Sequence, residues 1–488
     1  MRYVGLDIGT TSICGVVYDL EEKRSVRSVT LPNESAVRVG KASAGIQDAE
    51  AIVETAAQVL ASLSSGAGEI AAIGITGQMH GIVYVDANGR AVSPLYTWQN
   101  QKGATETASG VTLAEALTKA GGYPVATGYG LVTHAALSRE RAVPTEAVRL
   151  CTIADYVAIR LTGAAAPAIE ASNAASLGFF DAANGVFDRL ALERAGVDAA
   201  PLLPEVLPAT HVVGRTPEGV PVLNAIGDNQ ASVLGSVPDL RASLLANVGT
   251  GGQLSAYTER YVEADGLETR PFPGGGYLLV GASLAGGKAY AMLEAFFRDV
   301  LTSFAGPAVG TKADPNAKAN AKAEAVADAS PGAGAPSGQP LYERMAALLE
   351  ASDADGSDEL EVTTLFLGTR ADPLRRGEIR NIGPNNFTAA HLIRGCLHGI
   401  AGELRGFFVR MPEDVRARCR TLTGSGNGLR LNGHLRKAFE RTFGLPLRMP
   451  ACREEAAIGA ALHAAVGTGA IESHLAAGRR LVMQDDGM

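Results

Sequence analysis

Arg2-Tyr3-Val4-Gly5-Leu6-Asp7-Ile8-Gly9-Thr10-Thr11-Ser12-Ile13-Cys14-Gly15-Val16-Val17-Tyr18-Asp19-Leu20 is the stretch whose reading decides the fold. Residues 2–8 and 12–20 have the apolar, β-branched composition of two strands, joined by the short turn Gly9-Thr10-Thr11. Asp7 therefore stands at a strand end beside a glycine and two hydroxyls. The turn either serves the bend alone, or it lets backbone N–H groups and hydroxyls approach phosphate while the carboxylate holds Mg2+ through water. The same plan returns near residue 243: a strand to Val248, the loop Gly249-Thr250-Gly251-Gly252, and a strand from Gln253 to Tyr257. Halves that open alike imply duplicated α/β domains, with a boundary near residues 235–243.

Outward from the first turn, residues 48–65 read as a helix begun at Asp48, and residues 69–75 as an apolar strand running into Thr76-Gly77. The pair Ile82–Val85 and Ala91–Pro94 brackets Asn88-Gly89, a hairpin signal. Residues 145–162 read as a helix stopped at Gly163, and residues 221–227 as a strand that delivers Gly227-Asp228-Asn229. In the second half, helices are expected at 387–408, 431–443 and 453–467, with a glycine-rich turn at 423–428. Residues 305–340 hold 12 alanines and no aromatic, Leu or Ile, so the segment reads as a surface insertion that buries little.

The chain has 488 residues, enough for two or three domains with real cores. Its 43 Lys and Arg against 51 Asp and Glu give a net charge of −8, which argues against nucleic acid or an anionic membrane as partner. Five scattered cysteines without a Cys-x-x-Cys pair exclude a zinc clamp and fit a reducing compartment. There is neither a signal-peptide pattern nor an 18-residue apolar run, so a cytoplasmic protein is expected.

No Gly-Lys-Ser or Gly-Lys-Thr follows a glycine run, so a phosphate site here needs a design other than the P-loop. Asp228, after an apolar strand, is the best candidate for a catalytic base; the alternative is an Asp that caps the next helix. Gln78, Met79 and His80 follow the Thr76-Gly77 strand end and could form a polar pocket for hydroxyl groups. Trp98, the single tryptophan, is either core or the wall of a sugar site, with Gln99 and Asn100 offering hydrogen bonds. Gly424-Ser425-Gly426 precedes a helix whose N-terminal N–H groups could meet an anion.

The order of these motifs resembles the FGGY family of carbohydrate kinases over nearly the whole chain outside residues 305–340. The resemblance rests on Asp7 to Thr11, Thr76-Gly77-Gln78-Met79-His80-Gly81, Gly227-Asp228-Asn229, Gly249-Thr250-Gly251-Gly252 and Gly383 through Ile400. It implies two actin-like, ribonuclease H-like ATPase domains around an interdomain cleft. Residues 1–240 would carry the sugar site and the base, and residues 241–488 the nucleotide. It further implies ATP with Mg2+ held near Asp7, phosphate loops at Gly9, Thr10, Thr11 and at Gly249, Thr250, Gly251, and a nucleotide-facing segment of Gly424, Ser425, Gly426 and Asn432. Gln78, Met79, His80, Trp98 and Asn100 would meet a small-molecule ketose, with Asp228 as general base.

Family members that act on glycerol carry an Arg-Glu stretch where Met79-His80 stands, which disfavours that acceptor. Three passages, Ala171 to Phe180, Thr269 to Gly275 and Leu279 to Leu284, are most similar to the branch acting on sedoheptulose. Xylulose or ribulose is the alternative substrate, and a non-catalytic sugar or nucleotide sensor the rival from another class. The chain departs from the family at Cys14, usually Lys, which removes a possible cation near the phosphate loop, and at Asn100-Gln101-Lys102, usually Asp-x-Arg, which touches sugar choice. A monomer or homodimer is expected.

Overall fold

In the first sheet, β1 (Arg2–Ile8) is the central strand, and its apolar side chains are buried on both faces, as the continuous hydrophobic run requires. The computed structural model describes residues 1–39, 42–304, 341–352, 358–369, 372 and 374–484; the expected 305–340 insertion lies outside them. β2 (Ser12–Asp19) and β3 (Arg24–Pro32) extend the sheet antiparallel on one side of β1. On the other side β4 (Ile70–Gly77) runs parallel to β1, reached through helix α1 (Ala49–Ser64). Asp48 caps that helix by accepting from the Glu50 and Ala51 N–H groups, and Ile52, Ala56, Val59 and Leu63 form its buried stripe. Beyond β4 lie β5 (Val212–Arg215) and β6 (Pro221–Leu223), giving the order β5-β6-β4-β1-β2-β3, while β7 (Ile226–Gly227) also pairs with β4. Helix α2 (Asp228–Ser236) begins immediately after β7.

The second sheet repeats the plan. β8 (Ser243–Val248) and β9 (Gly252–Thr258) form the opening hairpin; β10 (Glu268–Pro271) and β11 (Tyr277–Ser283) follow, with β11 next to β9 and β10 at the edge. Helices α3 (Gly287–Phe304) and α4 (Ala389–Arg410) precede β12 (Thr421–Ser425), which runs parallel to β8; helix α5 (Gly433–Phe443) then leads to β13 (Leu447–Arg448), parallel to β12. The core orders β3-β2-β1-β4-β6 and β11-β9-β8-β12-β13 are the same three antiparallel strands followed by two parallel ones. This is the actin-like, doubled α/β architecture.

Helix α6 (Glu455–Gly467) crosses back from the second half and packs on α2, β1 and β4. One hydrophobic cluster joins Tyr3, Val16 and Tyr18 of the first sheet to Leu245, Tyr257 and Val280 of the second through Leu234 of α2 and Ile458 and Leu462 of α6. The second half also holds a cluster of its own, around Leu244, Leu254, Ile393, Leu404 and Phe439, so the shared cluster joins two halves that are each packed inside.

Local expectations fail in four places. Ala91–Pro94 is no strand: the Asn88-Gly89 turn forms, but the edge of Val83–Val85 is taken by Arg149–Cys151, leaving Ala91 an isolated bridge to Val85. The expected 145–162 helix begins only at Ile153, because Arg149–Cys151 is that strand; Thr152 caps the helix with Asp155, and Gly163 ends it in a left-handed conformation. The 221–227 strand breaks at Asn224 and Ala225, where the chain shifts along β4. Gly424 and Ser425 are strand residues at the end of β12, not turn residues.

Candidate active site

Register brings the two key carboxylates together. Asp7 of β1 lies opposite Thr76 of β4, and Thr76 lies opposite Ile226 of β7, so Asp7 and the residue after β7, Asp228, emerge at one edge of the sheet. Asp228 is the first helical residue of α2, with Gly227 in the cap position, so its carboxylate does not cap the helix. Both carboxylates line a cavity of about 430 Å3. The wall includes Gly9, Thr10, Gln78, Met79, His80 and Trp98 from the first half and Asn247, Gln253, Ser255 and Arg270 from the second.

The electrostatics of this pair follow from burial. Asp7 is pushed up to about 7, first by loss of water and then by the charge of Asp228. Asp228 is raised by the same desolvation, partly offset by the Arg270 guanidinium and by the Asn229 backbone N–H. Burial disfavours the ionised form of each carboxylate, and a cation held nearby would offset that cost. Among the described residues there is no cluster of three or more His, Cys, Asp or Glu side chains that could hold a metal. A cation here would rely on one or two carboxylates, water and ligand oxygens, which suits Mg2+.

Beside the carboxylates, a hydrogen-bonded chain orders the wall. The Trp98 Nε1–H donates to the Thr10 hydroxyl (3.1 Å), and that hydroxyl donates to Gln78 Oε1 (3.2 Å). Gln78 Nε2 donates to Gln47 Oε1 (2.8 Å), and Gln47 Nε2 donates to the Thr10 carbonyl (2.9 Å). Trp98 is 47% exposed, so it is not core. His80 has φ of 72°, a left-handed backbone costly for a non-glycine residue. It is held there by Ser176: the His80 N–H donates to the Ser176 hydroxyl, and its Nδ1 lies 2.7 Å from the Ser176 carbonyl. A carbonyl can only accept, so Nδ1 carries the proton and Nε2 is the basic nitrogen. The ring stacks on Tyr129 at 4.5 Å.

Other expected residues fall outside the wall. Asn100 is buried, and its Oδ1 accepts from the Lys102 N–H, so it shapes the loop after Trp98 and is not part of the cavity lining. Thr11 is exposed behind the turn, where its carbonyl accepts from Asn33. Gly249, Thr250 and Gly251 lie beyond the lining; the carbonyls of Gly249 and Thr250 accept from the first N–H groups of α3, those of Gly287 and Lys288. Gly424, Ser425, Gly426 and Asn432 are also outside it: the Ser425 hydroxyl donates to Glu455, and Asn432 caps α5 by accepting from Leu435. Cys14 sits opposite Asp7 on β2, and burial pushes its thiol up to about 11, so it adds no charge near the turn.

Sequence reasoning missed Gln47, Asn229, Ser232, Asn247, Ser255 and Arg270 as site residues. Two had a signal. Ser232 is one helical turn after Asp228, on the same face. Asn247 stands two residues before Gly249, as Asp7 stands two before Gly9.

Two copies of an actin-like sheet around a carboxylate-bearing cleft define a two-domain phosphotransferase. Residues 2–235 match the N-terminal domain and residues 244–468 the C-terminal domain of the FGGY family of carbohydrate kinases. The chain belongs to that family and is a carbohydrate kinase. It is 28% identical to the sedoheptulokinase of Mus musculus, across 94% of this chain and 96% of that one, and 30% identical to the xylulose kinase of Streptomyces rubiginosus across 53% and 54%. Its fold matches the crystal structure of xylulose kinase from Rhodospirillum rubrum with a TM-score of 0.79 and 22% identity, covering 99% of this chain and 93% of that one.

Proposed function

We propose that this kinase transfers the γ-phosphoryl group of ATP to the terminal primary hydroxyl of a ketose, with sedoheptulose giving sedoheptulose 7-phosphate as the preferred reaction. The observation that carries the reading is the placement of Asp7 and Asp228 in one cavity whose other wall is Gln78, His80 and Trp98. Sedoheptulose is favoured over a pentulose because the likeness to the mouse and human sedoheptulokinases spans 94% of the chain, while the xylulose kinase likeness spans 53%. Xylulose or ribulose is the second reading.

Asp228 orients the attacking hydroxyl and takes its proton as the oxygen bonds to the γ-phosphorus and the bond to the β-phosphate oxygen breaks, releasing ADP. His80 Nε2, Gln78 and the Trp98 ring hold the sugar chain. Asp7 would hold Mg2+, which when bound neutralises charge on the phosphate oxygens. The turn at Gly9, Thr10 and Thr11 and the loop at Gly249, Thr250 and Gly251 meet the phosphates from either side. Because the Thr10 hydroxyl is engaged with Gln78 and Trp98, the first turn acts chiefly through its backbone. Gly424, Ser425, Gly426 and Asn432 face the nucleoside. Residues 1–240 thus serve the sugar and residues 241–488 the nucleotide, in a cytoplasmic monomer or homodimer.

A panel of ketoses assayed for ADP release tests substrate choice, with the highest kcat/KM expected for sedoheptulose; a pentulose leading the panel transfers the assignment to the second reading. Asp228→Asn is expected to lower kcat by roughly 10²–10⁴-fold. A fall of less than about fivefold rejects Asp228 as the base. Ligand-induced stabilisation without phosphorylated product from any ketose would identify a sensor.

A further inference from the structure

We propose that Arg270 is a specificity-determining contact for the acceptor sugar, so that the acceptor is read by both domains; this rests on the cavity being the ketose site. Arg270 comes from β10, the edge strand of the second sheet, yet its side chain lines the same cavity as Asp228 and His80. The strand is held against the first half: Gln230 of α2 donates from Nε2 to the Pro271 carbonyl (2.8 Å), and Arg270 Nη1 donates to Asn229 Oδ1 (3.3 Å). The Arg270 side chain is only 16% exposed, so its charge must be met by partners. Glu268 meets part of it, accepting from Nε (3.0 Å) and from Nη2.

A guanidinium has five N–H donors in a rigid fork. Glu268 takes two and Asn229 one, which leaves one hydrogen on each terminal nitrogen. Near Asp228 the wall holds the two carboxylates together with neutral side chains, Asn229 and Ser232, that can donate as well as accept. An ionised carboxylate takes hydrogens from sugar hydroxyls and gives none to a ketose carbonyl or to a hydroxyl oxygen already donating, whereas a cationic fork can give two at once. Arg270 supplies those donors on the side of the cavity where Tyr129, the stacking partner of His80, also contributes to its electrostatic surroundings. The ligand class is thus a polyhydroxylated chain with an acceptor-only oxygen within reach of a fork of donors.

Trp98, the only tryptophan, lines the cavity, so its fluorescence reports sugar binding without ATP or turnover. Sedoheptulose is titrated into wild type and Arg270→Gln, and both Michaelis constants are measured. The variant is expected to bind the ketose about 10–100-fold more weakly, with KM for ketose rising in step, KM for ATP changing less than about threefold and the thermal transition moving by no more than a few degrees. An unchanged ketose Kd overturns the proposal, as does an equal rise in both Michaelis constants, which would mark a structural role. If Arg270→Gln does not fold, Arg270→Lys decides: it keeps the charge Glu268 requires but loses the fork, so its ketose Kd should also weaken at least fivefold, and wild-type affinity overturns the proposal. If wild type itself neither binds nor phosphorylates any ketose, the site reading fails, and that outcome is separate from the Arg270 result.

Discussion

Gln47 shows how one buried amide can set the wall of a cavity it does not line. It is 4% exposed, and its two polar ends join the Thr10 backbone to the Gln78 side chain, which in turn receives the Thr10 hydroxyl. Replacing it by Leu keeps the volume but leaves the Thr10 carbonyl and Gln78 Nε2 without these partners, a cost of about 1–3 kcal/mol for a buried polar group. Gln47→Leu is expected to raise the ketose KM about 5–30-fold, checked by steady-state kinetics; a KM within twofold of wild type would show that Gln78 holds its place unaided. At this scale the candidate site was legible where chemistry stands at a strand end: Asp7, Gln78, His80 and Asp228 all follow or end strands readable from hydrophobic pattern. Gln47 was not legible, because its strand carries no motif; Arg270 lies in the Thr269 to Gly275 passage, but only the folding of distant segments brings that strand to the cavity.

Among the elements, α6 depends on glycine for its position. A Cβ on Gly459 would lie 1.8 Å from the Ala231 carbonyl of α2, one on Gly235 would lie 1.8 Å from the Glu455 carbonyl, and one on Gly5 would lie 1.7 Å from the Ala457 carbonyl. Backbone meets backbone at each of these points, so no side-chain rotation can make room. Gly459→Ala is expected to destabilise by at least about 3 kcal/mol, the upper end for overpacking. Gly402 on the exposed side of α4 has nothing within 4 Å, and Gly402→Ala there should stabilise by about 0.5–1 kcal/mol through helix propensity. Thermal unfolding of the two variants should move in opposite directions; a downward shift of similar size in both would reject the close-approach argument. Elements with a cap or a strong period were legible, as with Asp48 at the head of α1 and Gly163 at the end of its helix. The edge of Val83–Val85 was not, since whether Ala91–Pro94 or Arg149–Cys151 claims it is decided by packing some sixty residues away in sequence.

For the whole molecule, the doubled opening turn foretold the doubled sheet, but nothing local foretold that the chain would return α6 to the first sheet and weld the halves through one hydrophobic cluster. That weld contains a polar pair, His463 on α6 and His474 just beyond it, both buried. His463 Nε2 faces the Asn224 carbonyl (3.0 Å), so it carries the proton; Nδ1 then accepts from His474 Nε2 at 2.9 Å. This chain of donors works only with both rings neutral. Burial depresses His463 to about 4, and burial with the charge of His463 depresses His474 to about 3. In the unfolded chain each ring takes a proton near pH 6.5, so stability is full above that value and falls as the pH drops toward the folded pKa values. Asp7, Asp155 and Glu170, each pushed up to about 7 by burial, bind protons in the fold and tilt the profile the other way, so the total slope does not isolate the pair. His474→Gln does isolate it, because Gln can still donate to His463 but cannot be protonated. The stability of wild type minus that of His474→Gln, from urea unfolding, should fall by about 2–3 kcal/mol between pH 7 and pH 4.5. A difference that stays constant over that range would mean His474 is charged inside the fold, and that the interdomain cluster admits water.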